Sequence, residues 1–210
     1  MHEVDDYHGM RARSRVAALA GVVAMTASLI VIGSAVSTAG LCGEFRWPIK
    51  SLADPAARNI NFEPQRVRLA RLYQLARPGR VTDDTPRIRP QEFQVYEFVA
   101  QLEMAEIEGD RDLKFVISVP RNPEQTMAME FLAGTCMDAG SFRRNRIVAA
   151  RQKALDLCGP LSEEYTELQG RVVIRGVGFW GNLQHEEIGG APNHFELIPG
   201  LGIRGTCEHV

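Results

Sequence analysis

A β-rich α+β domain is what this 210-residue chain predicts, on three observations. Strand-like and helix-like segments follow one another in the order β-β-β-α-β-β, the first strand-like run is unusually long, and a glycine pair, Gly176 and Gly178, sits on one face of the fourth strand. Residues 91–210 carry all three features. Before them come residues 40–90, read as an irregular N-terminal extension with a short helix, and residues 1–39, read as a signal peptide or membrane anchor.

Taking the elements in order, Trp47-Pro48 and Asp54-Pro55 leave little periodicity over 43–63. Leu69, Leu72, Tyr73 and Ala76 recur at i, i+3, i+4 and i+7 and predict a helix stopped by Pro78-Gly79. From Phe93, the run Val95, Tyr96, Phe98, Val99, Leu102 and Met104 predicts a long strand. Glu108-Gly109-Asp110 supplies a turn and Leu113 to Val119 a second strand, so these two form a hairpin. Met127, Met129 and Phe131 then alternate with Thr126, Ala128 and Glu130, the period of a half-buried strand. Ser141 is a candidate N-cap for a helix with Ile147, Ala150, Ala154, Leu155 and Cys158 along one face, ended by Gly159-Pro160. Arg171 to Trp180 and Phe195 to Ile198 complete the set on either side of a glycine-rich loop. This order is the pattern of a five-stranded OB-like barrel with one helix between strands 3 and 4, the alternative being an open five-stranded α+β sheet. In such a barrel, glycines at 176 and 178 mark a bend or a close backbone approach.

The address is read from Val16 to Val36, twenty-one residues without charge or proline behind the cluster Arg11, Arg13 and Arg15. Ser37-Thr38-Ala39 offers a cleavage pattern after Ala39, while the length of the apolar run also suits an uncleaved anchor. Both outcomes place the domain outside the cytoplasm: secreted or periplasmic, or held at the cytoplasmic membrane through residues 16–36. Four cysteines remain after the leader, Cys42, Cys136, Cys158 and Cys207, an even number suited to an oxidising space. Of three pairings, Cys136 with Cys158 and Cys42 with Cys207 is the one expected, since the first pair brackets the helix and the second ties the ends of the domain together.

A formal net charge of −2 excludes any global pull towards nucleic acid or acidic lipid. Locally, eight arginines fall between Arg58 and Arg89. Of these, Arg58, Arg66, Arg68, Arg71, Arg77 and Arg80 are candidates for contact with an envelope protein or a polyanion, against the alternative of a solvated face. His185, His194 and Glu196 form one candidate ligand or metal site near the last strand, and Glu108, Asp110 and Asp112 a second in the hairpin turn. Surface loops and turns favour the same residues without any ligand. No P-loop, nucleophile elbow or H-E-x-x-H signature occurs, and no cofactor is expected. The expected function is therefore an exported, non-catalytic cell-envelope or secreted binding module. The alternative is a divalent-metal-dependent, nuclease-like hydrolase that uses the carboxylates and histidines of the loop before the last strand.

Gly176-Val177-Gly178-Phe179-Trp180, Ala191-Pro192-Asn193 and Phe195-Glu196-Leu197-Ile198-Pro199 together resemble the C-terminal pattern GVGFF…APN…ELHPV of an uncharacterised family of small exported bacterial proteins. The resemblance spans most of residues 47–203 and implies an address and a fold, with no activity attached. Ile198 and Lys114 stand where that pattern commonly carries histidines, so histidine-dependent chemistry is not implied for this chain.

Overall fold

A computed structural model describes residues 42–43, 45–182 and 188–210. The expected leader, including Val16 to Val36, lies outside the described residues, and among those described no helix is long and apolar enough to cross a membrane. The elements run α1 (Trp47–Lys50), β1 (Asn61–Arg66), α2 (Leu69–Leu72), β2 (Gln94–Ile107), β3 (Leu113–Val119), β4 (Asn122–Phe131), α3 (Arg144–Cys158), β5 (Thr166–Gln169), β6 (Arg171–Trp180), β7 (Phe195–Gly205) and β8 (Glu208–His209). The result is a β-rich α+β fold whose eight strands form one mixed sheet.

Five of those strands close into a ring, β2-β3-β4-β7-β6, and they are the five the sequence predicts. Closure depends on the length of β2. Its first half, Val95 to Gln101, pairs with β6, and its second half, Gln101 to Ile107, pairs with β3, with a register shift between Leu102 and Met104 where the strand turns from one neighbour to the other. The β4–β7 contact is parallel and the other four contacts of the ring are antiparallel.

Alternation sets the two faces of each strand. Phe98, Leu102, Phe115, Ile117, Met127, Phe131, Ile174, Trp180, Phe195 and Leu197, from all five strands, make the main core, joined by Ala150 and Ala154 of α3. The opposite faces of β6 and β7 carry Val177, Phe179 and Ile198 into a second cluster, covered by Ile49, Leu52, Ala57 and Ile60 from the N-terminal segment and Ile147 from α3. That segment thus packs as a cover over the second cluster. Gly176 and Gly178 lie where β6 shifts register against β7. A Cβ on Gly178 would stand 2.5 Å from the Gln91 carbonyl and 2.7 Å from the Phe195 ring, so the expected close approach is there.

Several expectations are corrected. β1, β5 and β8 go beyond the five strands read from sequence: β1 contains Pro64 and is mostly exposed, β5 has 4 residues and β8 has 2, so none carries an apolar alternation long enough to detect. α2 stops at Leu72 and not near Ala76, and the Asn193 side-chain amide donates to the carbonyls of Leu72 and Leu75 at 2.9 and 3.0 Å where the helix would have continued. The N-cap of α3 is Arg143, in the left-handed region with φ 59, and Ser141 lies two residues earlier.

The disulfides join Cys42 to Cys136 and Cys158 to Cys207, in place of the expected pairing. Cys136 precedes and Cys158 ends α3, a helix of 15 residues and so about 22 Å long. A disulfide needs Cα atoms within about 7 Å, and the fold sets Cys136 5.3 Å from Cys42 and Cys158 5.0 Å from Cys207. All four cysteines are oxidised, which fits an oxidising, extracytoplasmic space.

Candidate functional site

Two charged assemblies grow out of this architecture. The first lies on the outward face of β3, β4 and β7, beneath α1. Lys114 and Glu130 are cross-strand partners on β3 and β4, Glu196 projects from the same side of β7, and all three are nearly buried. Lys50, the last residue of α1, bonds Glu130 at 2.9 Å and lies 5.7 Å above the Phe179 ring, while Lys114 pairs with Glu108 at 3.3 Å. Burial works to lower the pKa of Lys50, but Glu130, Glu196 and Glu108 outweigh it and the net shift is upward.

The hairpin turn supplies the remaining carboxylates. Asp110 accepts the Asp112 amide at 3.0 Å, the closure of an Asx-type turn, and Asp112 Oδ1 accepts the Ala133 amide at 2.6 Å. Asp112 is fully buried, and its Oδ2 has no hydrogen-bond partner among the described residues. Burial first, then Glu130 and Asp110, pushes its pKa up to about 8. Glu108 is pushed up to about 7 by burial and Glu130, against the pull of Lys114 and Lys50.

The sequence candidates are therefore only partly brought together. Glu196, Glu108 and Asp112 feel the charge of Lys50, Glu108 also that of Lys114, and Asp110 adds to the shift of Asp112. Among the described residues no group of three or more His, Cys, Asp or Glu is placed to hold a metal ion. His185 lies outside the described residues. His194 has φ 54 and serves the turn before β7: its amide donates to Ala191 and its carbonyl accepts the Gly181 amide, each at 2.8 Å. Lys114 and Ile198, the positions that depart from the resembled pattern, both fall on this outward side.

A pH dependence follows from Asp112. In the unfolded chain it ionises above its ordinary 3.8, whereas in the fold it keeps its proton to about 8, so across that window the folded state binds more protons. Stability contributed by this group is full below the lower value and is lost as pH rises through the upper one, at up to about 1.4 kcal/mol per pH unit. Asp112→Asn should abolish that slope and melt at a higher temperature than the wild type at pH 9, with a smaller difference at pH 5. Thermal melts of both proteins at the two pH values check this; a difference independent of pH would contradict the buried neutral carboxyl.

The second assembly is arginine-rich and lies around Glu97 on β2. Glu97 is nearly buried, and Arg66 of β1 bonds it at 3.1 Å, Arg204 of β7 at 3.4 Å, and Arg175 of β6 more closely still. The hydrogen bond from Arg175, followed by the charges of Arg175 and Arg204, holds the Glu97 pKa below the usual carboxylate range against its burial. Arg146 on α3 feels the charges of both Arg143 and Arg175, which, after burial, lower its own pKa. Arg143 stacks 4.0 Å over the Phe62 ring and Arg58 lies 5.5 Å over Phe142, and the two rings meet edge to face. Three guanidinium groups thus share one carboxylate.

Of the arginines singled out by sequence, Arg66 joins Glu97 and Arg58 lies over the Phe142 ring. Arg77 is instead spent on the carbonyls of Gly181 and Asn193, at 3.0 and 3.2 Å. Arg71 lines a separate groove of about 610 Å³ with Gln65, Leu75 and Gln94, and Arg68 and Arg80 are exposed. Arg143, Arg146, Arg175 and Arg204 were missed because they are scattered over three elements. The usable signal was strand alternation, which turns Arg175 away from Ile174 and its core face. No protein-family model, no curated protein and no solved structure matches the chain.

Proposed function

We propose that this chain is an exported, non-catalytic binding module with an OB-like ring, and that it engages an anionic polymer of the cell envelope or its surroundings through the arginine face. Supporting the fold reading are the ring order, the parallel β4–β7 contact and the position of α3 between the third and fourth strands of the ring. One observation carries the function: three guanidinium groups, Arg66, Arg175 and Arg204, converge on the single carboxylate of Glu97, and Arg146 feels the further charge of Arg143 and Arg175, so positive charge is in excess there. A polymer suits this face better than a bilayer, because insertion into a lipid interface uses large apolar side chains beside the basic ones. Among the described residues only Ile188 and Val210 are large, apolar and exposed.

Retention on heparin-agarose tests the reading. With a formal net charge of −2, the protein is held at low salt only if a local face does the holding. Arg66→Gln with Arg204→Gln removes two exposed charges and leaves Glu97 its bond to Arg175, so the fold should persist while elution moves to clearly lower salt. Flow-through of the wild type at low salt, or co-elution of the two proteins, would refute the proposal.

A further inference from the structure

We infer that the groove beside α2 is a binding site for a uronate, a carboxylate-bearing sugar residue of a glycan, with Arg71, Gln74, Gln91 and Tyr96 as the groups that meet it. Its volume of about 610 Å³ falls within the roughly 300 to 1,000 Å³ of small-ligand sites. The inference goes beyond the reading above and stands on other residues. Gln65 and Tyr96, register partners on β1 and β2, both line the groove, whereas the next pair along, Arg66 and Glu97, turns to the opposite face.

Tyr96 is the group that points to a ligand. Only 7% of it is exposed, its ring meets Phe195 edge to face at 5.8 Å, and it lines the groove. Its hydroxyl has no hydrogen-bond partner among the described residues, yet it is not one of the unpartnered side-chain atoms sealed from solvent, so the groove reaches it. Burial pushes its pKa up to about 12, so at neutral pH the hydroxyl keeps its proton and can donate and accept at once. A buried polar group ordinarily finds a partner within the fold. This one is held rigidly by its ring and left to bond whatever enters.

The wall around it selects the chemistry. The side-chain amides of Gln74 and Gln91 bond nothing else among the described residues, and each offers donors and an acceptor, the match for sugar hydroxyls. Gln94 holds the rim, accepting from the Asn61 amide at 3.1 Å and donating to the Glu63 carbonyl at 2.9 Å. Leu75 and Pro90 supply apolar surface for the C–H face of a sugar ring. Arg71 is exposed and is the one charged residue of the lining, with no carboxylate beside it, so a single negative group completes the set. One guanidinium suits one carboxylate per sugar and not the closely spaced phosphates of a nucleic acid. The Tyr96 ring, packed against Phe195, has no free face on which a base could stack.

Titration of digalacturonate into the isotope-labelled protein, its disulfides intact, followed by amide NMR at constant ionic strength, tests the site. Saturable shifts are expected at the groove residues, with maltose, a neutral disaccharide, binding about tenfold more weakly. Tyr96→Phe removes a hydroxyl that has no protein partner, so the fold is spared, and it should weaken digalacturonate about tenfold. Arg71→Gln should bring digalacturonate down to the level of maltose. Arg66→Gln with Arg204→Gln should leave this titration unchanged; a loss there equal to that of Arg71→Gln would put the sugar on the arginine face and overturn the site. No saturable shift, equal binding of maltose by the wild type, unchanged binding by both Tyr96→Phe and Arg71→Gln, or tighter binding of a glutamate tetrapeptide would also overturn it. Heparin retention is decided on other residues, so either reading can fail alone.

Discussion

Glu92→Ala should destabilise the protein by about 3 to 5 kcal/mol, the usual loss when one partner of a buried ion pair is removed. Glu92 and Arg46 are both fully buried side chains, joined by two parallel bonds of 2.7 and 2.8 Å. The carboxylate also accepts the amides of Ile88 at 2.6 Å and Trp180 at 2.9 Å, and the guanidinium donates to the carbonyls of Thr85, Pro86 and Trp180. Every lone pair and proton is engaged, which is the condition under which a dry ion pair offsets its desolvation. Alanine would leave a charge and two amides without partners. Arg46→Met combined with Glu92→Gln should lose less than Glu92→Ala alone, because no unpaired charge remains. Urea unfolding curves of the three proteins decide it, and a single-variant loss below about 1 kcal/mol would show that water reaches the pair.

Comparable in size is the effect of the disulfide that holds the same segment. Cys42 and Cys136 are 94 residues apart, and closing a loop of that length is worth about 4 to 5 kcal/mol in the chain-entropy model. Replacing both by serine should lower stability by that order and expose residues 42–60 to protease before the ring is cut. The pair Cys158 and Cys207, 49 residues apart, is worth about 4 kcal/mol by the same rule, but its loss should loosen the C-terminal end of α3 and leave the N-terminal cover intact. Denaturation midpoints and the sites of first cleavage distinguish the two variants. Equal cleavage patterns would mean that the disulfide is not what retains the cover.

Legibility in the sequence tracked the range of the interactions. β3 and β6 were read to the residue because Phe115, Ile117, Ile174 and Val172 alternate with outward residues over a whole strand, and the ring strands could be ordered once α3 was placed between them. The cover was not legible. Arg46 makes its defining contacts with Glu92, 46 residues on, and Trp180, 134 residues on, and Lys50 reaches Glu130 across 80. No local pattern records such pairs, so a docked segment looked irregular. The site followed the same rule: Glu108, Asp110 and Asp112 stand together as a sequential cluster, whereas Lys50 and Lys114, which pair with Glu130 and Glu108, and the scattered arginines do not. The cysteine pairing failed for another reason, since bracketing a helix in sequence does not say which cysteines the fold brings within bonding distance.

The bridges join the first cysteine in the chain to the second and the third to the fourth. For a polypeptide delivered through a membrane N-terminus first, this means that each thiol finds its proper partner as the next one to arrive. Cys42 meets Cys136 before Cys158 has emerged, and Cys207 then finds a single thiol waiting. Order of delivery alone would select the native connectivity, and an oxidant without isomerase activity would suffice to set it.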